Sequence, residues 1–237
     1  MIASKITDLI GNTPMLKLKM KNNDWNVFLK LEKFNPGGSM KDRMALNMIE
    51  EAEKSGQLKP GGTIIESSSG NTAIGLAIAS AIKGYHFIAV VDHHASKEKI
   101  DMIKAYGAEI VVVGDGYKAN EVAVIEREKT AKRMSEEMEN AFFPNQADNF
   151  NNRAAYIDTL ADELINDITT INSFYAAIGT GGSACGTAMG LKKRNSNTKI
   201  NVIEPDGSIL FGGEGKPYYQ SGTCLLYTSP SPRDMRR

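Results

Sequence analysis

Between residues 60 and 204 the chain alternates short β-branched runs with segments of helical period, and this order restricts the fold more than any other property of the sequence. The runs are TIIE (63–66), HFIAVVD (86–92), EIVVV (109–113), FYAAI (174–178) and KINVIE (199–204). Around them stand NTAIGLAIASAIKG, SKEKIDMIKAYG and the charged stretch ANEVAVIEREKTAKRMSEEMEN, with apolar residues at helical intervals. Several of these segments end in glycine, as helix C-termini commonly do. Strands joined by helices require parallel sheet with crossovers, so the expected class is α/β. A polar, turn-rich break, FPNQADNFNN (143–152), separates two such units.

Charge and cysteine content narrow the partners. Lysine plus arginine and aspartate plus glutamate each number 28, so no net field favours nucleic acid or an anionic membrane, and small-molecule partners are expected. Cys185 and Cys224 are the two cysteines; they offer no disulfide framework or zinc ribbon, and no metal site is expected. The start, MIASKITDLIGNTPM, lacks a basic stretch followed by an apolar run, and no window has the roughly 18 apolar residues of a membrane span. These features read as cytoplasmic. After Gly222 periodicity is lost, and CLLYTSPSPRD resembles one translated frame of a transposase sequencing adapter. Residues 223–237 are therefore expected to be a non-native tail and do not enter the fold reasoning.

Three segments have the composition of chemistry. In NPGGSMKDRM (35–44), Ser39 and Asp42 read as a capping box for a helix MKDRMALNMIEEAEKSG, with Met40, Met44 and Met48 as a core stripe. Lys41 then falls in the first helical turn, where the partial positive charge of the helix end lowers an amine's pKa toward the range needed to condense with an aldehyde. A solvated surface lysine is the competing reading. In IIESSSGNTAIGLA, a strand ending at Glu66 leads through Ser67, Ser68, Ser69, Gly70, Asn71 and Thr72 into a helix. Free N–H groups and hydroxyls there suit a carboxylate, or simply cap the helix. In AAIGTGGSACG, Gly179, Thr180, Gly181, Gly182 and Ser183 follow a strand, and four glycines in eight residues make a nest for a phosphate. Gly179, Gly181 and Ala184 also fit GxGxxA, and Glu204 closes the next strand where a ribose-binding acid stands, so a nicotinamide-dependent oxidoreductase is an alternative. His86, His93 and His94 lack metal spacing and read as loop residues, and Cys185 as a small buried residue.

Taken together, NPGGSMKDR, SSSGNT and GTGGS resemble the marks of fold-type II pyridoxal-phosphate enzymes, specifically the cysteine synthase and cystathionine β-synthase family. The resemblance covers residues 6–222, because IGNTPM, IKGYHFIAVV, EKIDMIKAYGAEIV, NQADNFNNRAAYIDTLADE and IEPDGSILFGG follow in the family's order. It implies two doubly wound parallel-sheet domains of the tryptophan synthase β-like kind, the second incomplete at its C-terminus. Residues 1–35 and 147–222 would form the larger, cofactor-binding domain, and 36–146 a smaller mobile one carrying Lys41 and the substrate loop. It further implies that Lys41 holds pyridoxal 5'-phosphate covalently, Asn71 bonds the ring hydroxyl, Gly179 to Ser183 hold the phosphate, and Ser68, Ser69, Thr72 and Gln146 hold the substrate carboxylate.

The implied reaction is β-replacement on serine, O-acetylserine or O-phosphoserine. Lys41 removes the Cα proton, the β-substituent leaves, and a sulfur nucleophile adds to give cysteine or cystathionine. An amino-acid amine in the manner of siderophore-type diaminopropionate precursor synthases is an alternative nucleophile. Three departures bear on that choice: Ala73 stands where the family usually has glycine, Ala147 where it has an aromatic residue, and VVDHH where it has a methionine-proline pair. Each is expected near the donor or second substrate. A full-length homodimer is implied. A chain ending near Gly222 lacks the family's last strands and the hydroxyl partner of the pyridine nitrogen, so an inactive or poorly soluble fragment is a further expectation.

Overall fold

The structure is a computed structural model that describes residues 2–21, 24–115 and 123–212. The expected tail, 223–237, lies outside the described residues, as does the end of the expected larger domain, 213–222. Strand β1 (Met15–Leu18) pairs antiparallel with β2 (Val27–Lys30), Leu16 opposite Leu29. Helix α1 (Lys41–Lys54) follows, then β3 (Thr63–Ser67), α2 (Asn71–Lys83), β4 (His86–Val91), α3 (Lys97–Ala105), β5 (Glu109–Val112), α4 (Val124–Glu137) and β6 (Ala141–Phe142). The chain continues with α5 (Phe150–Ile157), α6 (Leu160–Asp167), β7 (Ser173–Ala177), α7 (Gly182–Arg194) and β8 (Lys199–Ile203).

All five strands expected from β-branched runs form within one or two residues of their expected ends. Four strands make a parallel sheet in the order β5-β4-β3-β6, with Ser67 opposite Val90 at its carboxyl end. The parallel pair β7-β8 flanks α7 as a separate βαβ unit. The hairpin and β6 went unread in the sequence, because four half-exposed residues and two residues respectively are too short to show a period. Gly56, Gly84 and Gly107 all have positive φ just beyond α1, α2 and α3, the left-handed closure that glycine takes without steric cost.

Alternate residues of the sheet face different helices. Ile64, Phe87, Ala89 and Val91 meet α1 and α2 in the main core, where Met44 and Met48 of the expected stripe are fully buried. Ile65, Ile88 and Val90 meet Ala131 of α4 on the other face. A sheet covered on both faces explains why β4 reads as an unbroken apolar run rather than an alternating one. The main core extends through Ala155, Tyr156, Leu160, Ala161, Leu164 and Leu191, so α1 and α2 pack continuously with α5, α6 and α7. Among the described residues no helix is long and apolar enough to cross a membrane.

Candidate active site

Lys41 is the first residue of α1, as expected, and is half-buried. Burial pushes its ammonium's pKa down, and no charge or hydrogen bond offsets that among the described residues. Removal from water thus acts in the same direction as the helix-end charge expected from the sequence. The capping differs as well. Ser39 Oγ accepts from Lys41 N at 3.1 Å, while the Asp42 carboxylate accepts from Gly37 N at 2.5 Å and does not close a box with Ser39. Asp42 is thus the clasp of the Pro36–Gly38 turn. Its burial raises its pKa to about 6 against the opposing Gly37 N–H bond.

The next residue, Arg43, is clamped. Its guanidinium makes paired bonds to Glu32 (Nε and Nη2, each 2.8 Å) and to Glu163 of α6 (Nη1 2.6 Å, Nη2 2.8 Å). Glu163 also accepts from Asn12 N and from Lys30 Nζ, both at 2.9 Å. Burial works upward on the Glu163 carboxyl, but these donors outweigh it and hold its pKa at about 2. The segments IGNTP, SMKDR and TLADE therefore meet in one charged cluster that fixes α1 to the hairpin and to α6. Planar, bidentate pairing of this kind is a geometry lysine does not supply.

In the β3–α2 turn, Ser68 and Thr72 are buried, Ser69 is half-buried, and Asn71 is exposed at the first position of α2. Ser68 Oγ accepts from Gly70 N at 3.2 Å, and the Thr72 hydroxyl donates to Gln146 Oε1 at 2.6 Å. Beneath them lies Glu66, 2 % exposed, whose two oxygens accept from Ser67 N (2.9 Å) and Gln146 N (3.1 Å). Burial raises its pKa to about 8, with Glu128 of α4 adding to the rise and the two N–H bonds opposing it. Lys99 of α3 also reaches this turn, its Nζ 3.9 Å from where a Cβ on Gly70 would stand. Neither Glu66 nor Lys99 was singled out from the sequence. A strand-ending glutamate and a helix-surface lysine carry no local signal of what they touch.

The glycine turn between β7 and α7 is built differently. Gly181 adopts φ +88°, and Gly182 lies so close to the Asn152 side-chain amide that a Cβ would overlap it. Asn152 of α5 in turn donates to Gln146 O at 2.7 Å and Thr180 Oγ1 at 3.4 Å, while its own Oδ1 is buried without a partner among the described residues. Gly186 belongs to helix packing and not to the turn: with Gly190 it lets α7 approach the α5 carbonyls of Arg153 and Ile157. Those glycines recur every four residues, which marks the packed face. Cys185 lies off that face and is exposed, contrary to the expectation of burial.

These pieces close into a ring. Gly75 of α2 sits on Asp42 of α1, Thr72 bonds Gln146, Gln146 is held by Asn152, Asn152 packs on Gly182, and Tyr156 of α5 donates to Met40 O at 2.9 Å. The start of α1, the start of α2, Gln146 and the glycine turn are thereby linked to one another in this conformation. Two of the departures move away from it. Ala73 is fully buried in the core within α2, so its methyl does not enter the substrate loop. Asp92, also buried, accepts from Ala123 N at 3.2 Å and pairs with Arg127 at 3.5 Å, which ties β4 to the start of α4. His93 and His94 follow as exposed loop residues.

Comparison with known proteins accounts for this arrangement. Residues 6–223 match the model of the family "Pyridoxal-phosphate dependent enzyme". A putative cysteine synthase of Sinorhizobium fredii is 47 % identical over 224 residues, covering 94 % of this chain and 66 % of the relative. A hydrogen sulfide-producing enzyme of Fusobacterium nucleatum superposes with TM-score 0.87 at 38 % identity, over 95 % of this chain and 74 % of that one. An O-acetylserine dependent cystathionine β-synthase of Helicobacter pylori gives 0.85 at 36 %, over 94 % and 73 %. The chain thus spans about two thirds to three quarters of their lengths. The β7–α7–β8 unit and its glycine turn would serve a nicotinamide fold equally well, and it is the family match that decides. The chain belongs to the pyridoxal-phosphate dependent enzyme family, with the α/β fold of its fold-type II members.

Proposed function

We propose that this chain carries the site of a β-replacement enzyme, which exchanges the β-substituent of serine, O-acetylserine or O-phosphoserine for a sulfur nucleophile and yields cysteine or cystathionine. The observation that carries the reading is the ring of contacts, which gathers an amine, a carboxylate-sized turn and a phosphate-sized turn. The residues fit the family's cofactor on two counts. Lys41 is half-buried, and its Nζ has no ion pair or hydrogen bond among the described residues. Gly181 and Gly182 form a turn a side chain would fill.

In this reading Lys41 binds the cofactor aldehyde, Asn71 bonds its ring hydroxyl, and Gly179, Thr180, Gly181, Gly182 and Ser183 hold its phosphate. Ser68, Ser69, Thr72 and Gln146 orient the substrate carboxylate. Pyridoxal phosphate supplies the electron sink. Lys41, whose amine burial pushes toward the neutral form, is the base that takes the Cα proton and later returns it. Residues 36–146 form the body that closes on 1–35 with 147–222 and excludes water, and the complete protein is a homodimer. The sulfur nucleophile is drawn from the names of the relatives above.

The test is to load the chain with pyridoxal phosphate, reduce with borohydride and map the labelled peptide. Label on Lys41 is expected; label on another lysine, or none, overturns the reading. A panel of serine, O-acetylserine and O-phosphoserine against sulfide, homocysteine and glutamate then separates sulfur from amine chemistry.

A further inference from the structure

Resting on the role given to Lys41 above, we propose that Tyr156 is a positioning residue for that lysine. Its hydroxyl holds the peptide that leads into Lys41 against α5, and so sets where the amine stands relative to the glycine turn. The geometry is direct. Tyr156 is fully buried, and its hydroxyl donates to Met40 O at 2.9 Å, the carbonyl one residue ahead of Lys41. The other end of the same residue touches α7, since Tyr156 Cβ lies 3.1 Å from where a Cβ on Gly186 would stand. One side chain therefore spans from the helix that follows the glycine turn to the peptide that carries the lysine.

The bond acts where a helix needs it. Residues at a helix start lack intrahelical partners for their N–H groups and fray most readily, so the first position of α1 depends on outside anchors. Ser39 Oγ, the Asp42–Gly37 clasp and the Arg43 clamp restrain Lys41 along its own segment and toward α6. Toward α5, Asn47 Nδ2 donates to Asn151 O at 2.8 Å farther along α1, and the Tyr156 bond adds the restraint at the peptide directly ahead of Lys41. Burial keeps the phenol protonated and hence a donor, and Glu32 and Asp42 nearby act in the same direction, with Arg43 opposing them. None of the chemistry assigned to the site uses this hydroxyl.

Tyr156→Phe removes the bond and keeps the ring that fills the core. The first readout needs no cofactor: competitive acetylation of Lys41 across pH, followed by mass spectrometry. Loosening the first turn returns Lys41 toward water, so its titration midpoint is expected to rise by at least about half a unit, slowing its acetylation near neutral pH about threefold or more. The second readout is the fraction of Lys41 trapped by borohydride at limiting pyridoxal phosphate, expected to fall while Lys41 remains the labelled residue. Ile88→Ala, a core loss on the α4 face of the sheet in a cluster that does not include Met40, is the control for instability alone. An unchanged Lys41 midpoint in Tyr156→Phe, or an equal shift in Ile88→Ala at matched loss of melting temperature, overturns the proposal. Failure of the Lys41 assignment looks different, because wild type would then be labelled on another residue.

Discussion

The β3–α2 turn and the β7–α7 turn both end a parallel strand and start a helix, yet they are stabilised by opposite means. The first is held by side chains: Ser68 bonds Gly70, Thr72 bonds Gln146, and Glu66 gathers two backbone amides from below. The second is held by the lack of side chains, with Gly181 in a left-handed conformation and Gly182 pressed on Asn152. A turn built from polar side chains can be retuned by pH and by single-atom changes. A turn built on close approach tolerates no added volume. Asn152 joins the two, since its amide bonds the Gln146 carbonyl while packing on Gly182.

The glycine turn gives the largest expected effect. Gly182→Ala forces a methyl into the Asn152 amide, which must swing away and give up its bond to Gln146 O, an overpacking cost of about 1–3 kcal/mol. In the Asn152→Ala background the same substitution has room, so its cost is expected to fall by more than half. Urea unfolding of the four proteins in that cycle checks it. Equal costs in both backgrounds would mean that the two turns are not coupled through Asn152.

The polar turn is predicted to respond to pH instead. Glu66 carries a folded pKa raised from 4.5 to about 8, so across that window the folded state holds a proton that the unfolded state has lost. The Glu66 contribution to stability must therefore fall as pH rises from about 4.5 to 8 and then level off. Asp42, raised from 3.8 to about 6, acts in the same sense but only below pH 6. Glu163, lowered to about 2, removes stability as pH falls below 4.5. Lys41, lowered from 10.5 by burial, acts in the opposite sense above its folded pKa, so Glu66 is read as the difference between wild type and Glu66→Gln from pH 6 to 8. Glu66→Gln loses one of the two acceptors, costing about 1–2 kcal/mol near pH 6, and removes the Glu66 share of the fall above it. Denaturant midpoints at pH 6, 7 and 8 read both effects, and a slope unchanged by the substitution would sink the assignment.

The same contrast explains what could be read in the chain. The alternation of strands and helices, their parallel sense and both turns were legible, because β-branched runs, glycine closures and serine-rich caps are written in consecutive residues. Lys41 at the start of α1 was legible for the same reason. What holds these pieces together was not. Asn152 lies 30 residues before Gly182, Arg43 meets Glu163 120 residues away, and Glu66 reaches Gln146 across 80. Burial was equally hidden, so the desolvation that lowers the pKa of Lys41 could not be read beside the helix-end effect. Cys185 could have been placed correctly, since Gly182, Gly186 and Gly190 repeat on one face of α7 and Cys185 stands off it.

The smallest expected effect belongs to Lys99, and it tests whether the polar turn extends beyond its own side chains. Lys99 is half-buried on α3, with its amine beside Gly70 at the start of α2. Two sources of positive potential, an ammonium and a helix N-terminus, repel each other until an anion sits between them. The substrate carboxylate proposed for this turn would be that anion. Lys99→Ala is expected to change the melting temperature little, because it removes a half-buried side chain at the edge of α3 and no core contact. The KM for the amino-acid donor should rise about two- to fivefold with kcat unchanged, the pattern of a group that binds substrate and transition state alike. Added salt should narrow the gap between Lys99→Ala and wild type, since a Debye length of about 8–10 Å partly screens a half-buried charge at physiological ionic strength. A KM that does not move, or a salt-independent rise, would confine recognition of the carboxylate to Ser68, Ser69, Thr72 and Gln146 and leave the turn electrostatically self-contained.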